Sequence, residues 1–412
     1  MNFKLFCNAL GFNRKTASLL NPFWIQSMPH FSGIPEFMKL EFCQKYFPFT
    51  GLTPDVLKRI KIVAEIVASS PEAQRYAQLL HYGFYVSSYQ GKLTGLPLPE
   101  KVFGDNSGVF QLMVGLSCLP LVERKLESMN IPVTYMQQIA LWAKGANSIY
   151  MLGHHDLPGM NLGHVDWAKL FVRGKLFRLG RLEYEIQSTP EWIPAIYRDK
   201  GTRRVVALCR DDWELNAEGF RPLIKDTVGI RLTTRLEICD DTVTGTPISP
   251  YGNALTDEVL RLDLREWEAL LTPWEWVPGI HIPGGGGMSI ESVQSSLMDA
   301  KQFFKEYFKR DVKTFVCCSW IMNPELARML PESNIAKFMR EVYLCPGIPP
   351  CGNDGVFFIY GRDGKDWRSY PRDNSIRRAI QEICDKGGYL KTGSMFIISS
   401  DIEKFGSAHY QR

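Results

Sequence analysis

Through the first third of the chain, apolar residues recur every three or four positions, the period of an amphipathic helix. In "TPDVLKRIKIVAEIVASS" the recurring positions are Val56, Ile60, Val63 and Val67, with Thr53 as N-cap and Pro54 at the first helical position. "SPEAQRYAQLLHYGFYVSS" repeats the start signal with Ser70 and Pro71, and two more helical stretches are predicted near 109–129 and 133–151. Strand-like alternation is nearly absent before residue 165.

The pattern changes at "MLGHHDLPGMNLGHVDW", where Gly, Pro, Asn and Asp cluster as in a connection. "KLFRLGRLEYEIQ" then alternates apolar and charged residues, with Gly180 near its middle allowing a bulge or a close backbone approach. "RVVALC" and "GIRLTTRLEIC" are further strand candidates in a loop-rich stretch reaching to about Leu264. Next comes a strand in "VPGIHI", then four glycines. A helix opens at Ser289 with the stripe Ile290, Val293, Leu297, Ala300, Phe304 and Tyr307. "VKTFVCCSW" reads as a strand, "NPELARMLP" as a helix capped by Asn323, "NDGVFFIYG" as a strand, "SIRRAIQEICDKGG" as a helix and "GYLKTGSMFII" as a last strand. The order predicts an α+β chain: a helical N-terminal domain over 1–155, then a mixed-sheet domain with flanking helices over 156–412.

Composition changes this picture little. Of the 412 residues 45% are hydrophobic, enough for a large core without disulfides, and the formal charge of +4 gives no broad basic face for nucleic acid. No run of 18 apolar residues occurs, so no membrane span is expected. The ten cysteines form no CxxC pair and read as small buried hydrophobes in a reducing compartment. The first residues lack the apolar core and cleavage site of a signal peptide, so the expected location is cytoplasmic.

The candidate chemistry centres on the glycines. Gly284, Gly285, Gly286, Gly287, Met288 and Ser289 lie between a strand and a helix start, where unpaired N–H groups and the helix dipole attract anions. The spacing matches neither a Walker loop nor a dinucleotide fingerprint, and a mobile surface loop is the alternative. His281, at the end of the preceding strand, is either a general base or a strand-end hydrogen-bonding residue. Cys317 and Ser319 share one side of the next strand by period two, as packing or as groups that protonate a leaving thiolate or hold a carbonyl. A Cys317–His281 nucleophile pair would make the protein a transferase with a covalent intermediate or a Cys-dependent thioester hydrolase. Glu183 and Glu185 share a strand face as spare bases, solvated charges or partners of Arg178 and Arg181. His154, His155, Asp156 and His164 have a weak ligand spacing, and no metal is expected. Trp274 and Trp276 are aromatic packing or the wall of an acceptor pocket.

The order strand, glycine loop, long helix, strand, shorter helix resembles the acyl-CoA-binding core of the GNAT acyltransferases. More closely, "FRLGRLEYE", "HIPGGGGMSIESVQSSLMDAKQFF", "CCSWIMNPELARMLPESNIAKF" and "SIRRAIQEICDKGG" resemble a family of two-domain bacterial acyltransferases with a helical N-terminal domain and a GNAT-like C-terminal domain. The resemblance implies an N-acyltransferase that moves an acyl group from acetyl-CoA or another acyl-CoA to a small-molecule amine by direct attack in a ternary complex. The loop would hold the CoA pyrophosphate, the two strands would splay around the pantetheine arm, and His281 would take the amine proton. The N-terminal helices would complete the acceptor site or act as a lid. The family loop opens with Gln or Arg; this one opens with Pro283, which would leave the pyrophosphate to backbone N–H groups alone. That departure keeps open a catalytically silent scaffold on the same fold.

Overall fold

The expected helix starts form where the capping chemistry allows. The helix Pro54–Ser69 opens on Thr53 and Pro54, and the helix Pro71–His81 opens on Ser70, whose side chain accepts from the Ala73 N–H. The computed structural model describes residues 2–31, 33–88, 93–224, 228–272, 274–284, 286–362, 364 and 366–411. Its first compact unit comprises Met1–Arg178 with Pro283–Gly285 and Tyr360–Arg362; its second comprises Leu179–Ile282, Gly286–Ile359 and Asp363–Arg412.

The first unit is helical as far as Val172, beyond the expected end at 155. Val56, Ile60, Val63 and Val67 are all buried. Their helix packs on the helix Ser107–Leu116, which is buried on every side and apolar almost throughout. Arg75 is buried in this unit. Its guanidinium donates to the Trp24 and Ser27 carbonyls at 2.5 and 3.4 Å, at the C-terminal end of the helix Arg14–Gln26, and stacks over Trp24. A cation at that end meets the orphan carbonyls and the negative dipole pole. Among the described residues no helix is long and apolar enough to cross a membrane.

The second unit is built on a six-stranded sheet whose first strand, save Leu179, is counted with the first unit. Its strands are β1 (Leu176–Leu179), β2 (Leu182–Ser188), β3 (Trp276–His281), β4 (Thr314–Ser319), β5 (Tyr343–Pro346) and β6 (Gly393–Ile398), in the spatial order β1-β2-β3-β4-β6-β5. The alternation in "KLFRLGRLEYEIQ" folds as a hairpin, with Gly180 at its turn (φ +63°) and not in a bulge. Apolar Leu182, Tyr184 and Ile186 of β2 share a face, and Tyr184 meets Phe304 of the helix Ile290–Phe308 edge to face. The opposite face packs on a second, antiparallel sheet formed by Trp267–Leu271, Ala195–Asp199, Val205–Leu208 and Pro247–Ile248. Ile196, Ala207 and Ile248 meet Val277, Val316 and Phe396 there in one buried cluster. The stretch expected to be loop-rich therefore supplies a layer of this unit. The carboxylate of buried Asp401 ties the C-terminal segment to this layer, accepting from Arg198 at 3.0 Å and from the Tyr410 hydroxyl at 3.1 Å.

Two elements differ from expectation. "NDGVFFIYG" holds the helix Val356–Tyr360, closed by Ile359 N–H donating to the Gly355 carbonyl, where a strand was expected. A five-residue apolar run carries no period that separates strand from buried helix. Strand β5 had no alternation to mark it, since all four of its residues are buried.

Candidate active site

Strands β3 and β4 run parallel, with a single registered pair, Gly279 with Val316. Beyond it, Ile280 and His281 on one strand and Cys317 to Ser319 on the other have no cross-strand partner in each other. Each stays paired on its outer side, β3 with β2 through His281↔Glu183 and β4 with β6 through Ser319↔Gly393. Residues 276–278 and 314–315, before the pair, have no registered partner in each other either, so the two central strands are joined at this one pair.

Register decides which side chains meet there, because residues paired across strands share a face. Glu183, Glu185 and Gln187 of β2 lie on the face of Gly279 and His281. Gly279 is bare because the Gln187 side chain crosses directly over it, in space a Cβ would fill. His281 Nε2 and Glu185 Oε2 are 2.9 Å apart, a charge-assisted pair with side chains 36% and 24% exposed. Glu183 is buried at 3% exposure, so it is no solvated charge. The carboxylate at 185 fixes one nitrogen of the imidazole.

Cys317 and Ser319 fall on the other face, toward the helix Ile290–Phe308, whereas Cys318 shares the parity of His281. Burial pushes the Cys317 thiol far above its ordinary range. A thiol held protonated and turned to the opposite face is a poor nucleophile for His281 to activate. The structure therefore does not bring the Cys317–His281 pair together. Ser319 is half-buried at the strand end, and Asn323 caps the helix Pro324–Met329 by accepting from the Glu325 N–H. Trp276 packs on Phe304, while Trp274 is 83% exposed.

The loop itself is open. Gly286 and Gly287 are exposed, Met288 is buried, and Ser289 caps the helix by accepting from the Ser292 N–H at 3.3 Å. Gly284 is exposed and groups with the helical unit; Gly285 lies outside the described residues. Neither Gly286 nor Gly287 has positive φ, so the bare backbone serves close approach here and not a left-handed turn. Among the described residues no acceptor meets the N–H groups of Gly287, Met288, Ser289 or Ile290. Arg181, from the β1–β2 turn, donates through Nε to the Gly287 carbonyl at 2.6 Å and through a terminal nitrogen to the Gly286 carbonyl at 3.0 Å. Sequence reasoning offered Arg181 to the nearby glutamates; its only signal was its place in a tight turn.

Residues 176–396, more than half of the chain, match the model of the GNAT-like C-terminal domain. The chain belongs to that family. The match begins at β1 and ends inside β6, so the GNAT-like domain takes in the central strand pair, the loop and the inserted sheet. No curated protein sequence matches the chain. Among solved structures, an acyltransferase in complex with decanoyl-CoA and teicoplanin is 18% identical with a TM-score of 0.60, the match covering 97% of this chain and 99% of that one. A mutant acyltransferase in complex with octanoyl-CoA, at 19% identity and TM-score 0.60, and one in complex with CoA and 10C-teicoplanin, at 18% and 0.59, cover the same shares. At that identity the likeness shows a shared fold along nearly the whole length, helical region included.

Proposed function

We propose that this protein is an acyl-CoA-dependent N-acyltransferase. The observation that carries the reading is the sparse pairing of β3 and β4, with the His281–Glu185 pair beside it and, just beyond, loop N–H groups that meet no acceptor among the described residues. A thin pantetheine arm enters between the strands, and the loop and helix start receive the pyrophosphate. The amine attacks the thioester carbonyl carbon on the His281 face. His281 accepts the amine proton, and Glu185 stabilises the imidazolium. The C–S bond breaks, and the thiolate takes a proton on the helix face, where Ser319 is the more open donor and Cys317 lies behind it. Base and acid on opposite faces suit a substrate threaded between strands. The neighbours' decanoyl- and octanoyl-CoA make medium acyl chains the first choice of donor, and teicoplanin belongs among the acceptors tested.

The test is release of free CoA thiol from acetyl-, octanoyl- and decanoyl-CoA in the presence of an amine panel, with the amide identified by mass. Acceptor-dependent amide formation that survives thiol alkylation of the enzyme is the expected result. Acceptor-independent thioester cleavage abolished by alkylation would replace transfer with Cys-dependent hydrolysis.

A further inference from the structure

We propose that Arg181 is the positioning residue of the glycine loop, holding it in the orientation that receives the pyrophosphate. This rests on the acyl-CoA reading above. The loop has no Gln or Arg of its own at its start, where Pro283 stands. The structure brings an arginine from 105 and 106 residues earlier in the chain.

The orientation follows from the peptide plane. In a trans peptide the carbonyl and the next N–H point in opposite directions. Arg181 draws the Gly286 and Gly287 carbonyls to itself, which turns the N–H groups of Gly287 and Met288 away from the guanidinium. Those are two of the loop N–H groups that meet no acceptor among the described residues. The fork shape matters, since two donors in a fixed plane set two carbonyls at once. A bare Gly286 suits this approach: a Cβ there would lie 3.3 Å from Arg181 Nε, close enough that the arginine would have to shift. The guanidinium also adds a full positive charge near a helix N-terminus that already favours anions.

The base of the arginine is rigid. Ser296 Oγ, on the helix that follows the loop, accepts from the Leu182 N–H at 3.2 Å and donates to the Leu179 carbonyl at 2.5 Å, straddling the turn. The Tyr184 hydroxyl lies 2.9 Å from the same oxygen, and its ring is fully buried against Phe304 and Phe315. Loop, turn and helix form one closed unit in which Arg181 supplies the contact to the loop.

The experiment compares wild type, Arg181→Ala and Arg181→Lys. Titration calorimetry measures octanoyl-CoA binding, and the transfer assay is run with octanoyl-CoA and with octanoyl-pantetheine, which lacks the pyrophosphate. Arg181→Ala should weaken octanoyl-CoA about tenfold or more, as expected for losing two charge-assisted hydrogen bonds that set the loop. Its KM for octanoyl-pantetheine and its kcat at saturation should stay at the wild-type values. Arg181→Lys should fall between, because an ammonium keeps the charge and loses the fork. Unchanged CoA affinity in Arg181→Ala, or equal losses for both thioesters, overturns the inference. A wild type that binds no acyl-CoA overturns it together with the reading it rests on.

Discussion

His281→Ala lowers kcat for acyl transfer by about 10²- to 10⁴-fold, the usual contribution of a positioned general base, while acyl-CoA binds as before. His281 sits two residues beyond the registered pair of β3 and β4, and its ring is paired with Glu185 of β2. The loss should shrink as pH rises toward the amine's own pKa, because an amine that is already neutral needs no base for its first proton. A histidine that only stiffened the strand end would lose activity equally at all pH. Glu185→Gln keeps the shape of the 2.9 Å contact and removes the charge. It should cost about tenfold in kcat, less than the base itself, since the partner only stabilises the imidazolium. Steady-state rates between pH 6 and 10 for the three proteins separate these outcomes.

The helical unit loses stability steeply on mild acidification. His81 and His164 are each lowered to about 4, His81 by burial first and then by the charges of Arg124 and His30, His164 by burial. His81 Nδ1 lies 2.7 Å from Ser117 Oγ, and its ring is stacked on Phe37. In the unfolded chain both titrate near their ordinary value of about 6.5. Between about 4 and 6.5 the unfolded state therefore binds more protons, so stability rises with pH in that window. The penalty is absent above the unfolded pKa and is complete near 4. Each histidine costs roughly 2–3 kcal/mol at that point, with His81 discounted for partial exposure. Together they approach the whole stability of an ordinary domain, about 5–15 kcal/mol. Urea melts at pH 7 and pH 4.5 should show the drop, and a His81→Phe/His164→Leu double variant should flatten it. A slope that survives in the double variant would assign the acid sensitivity to other groups.

Much of the architecture is legible from local chemistry. Pro54, Ser70 and Ser289 mark helix starts because the groups that satisfy an orphan N–H, or need none, lie next to it in sequence. The stripe from Val293 to Phe304 is buried as its period requires. Fully buried segments are less legible: β5 and the helix Val356–Tyr360 are both short apolar runs, and tertiary contacts decide their form. The site shows the same divide. The glycine loop, His281, and the shared face of Glu183 and Glu185 can all be read from the chain. The register that sets Glu185 against a histidine 96 residues away cannot, nor can the turn that sends Arg181 to the loop. Period two within β4 correctly joins Cys317 to Ser319, but only the Gly279↔Val316 pairing shows that their face is not that of His281.

The central claim is that the glycine loop binds acyl-CoA, and calorimetric titration of wild type and Gly286→Val with octanoyl- and decanoyl-CoA tests it most directly. The Gly286 backbone has no positive φ, so valine there acts through its bulk, pressing on Arg181 and blocking backbone approach. The account predicts roughly micromolar binding by wild type. It predicts a loss of about a hundredfold in a variant that keeps its fold and its melting curve. Equal binding by both proteins, or no binding by wild type across acyl chains from acetyl to decanoyl, would contradict it and leave a GNAT-like scaffold with an idle loop.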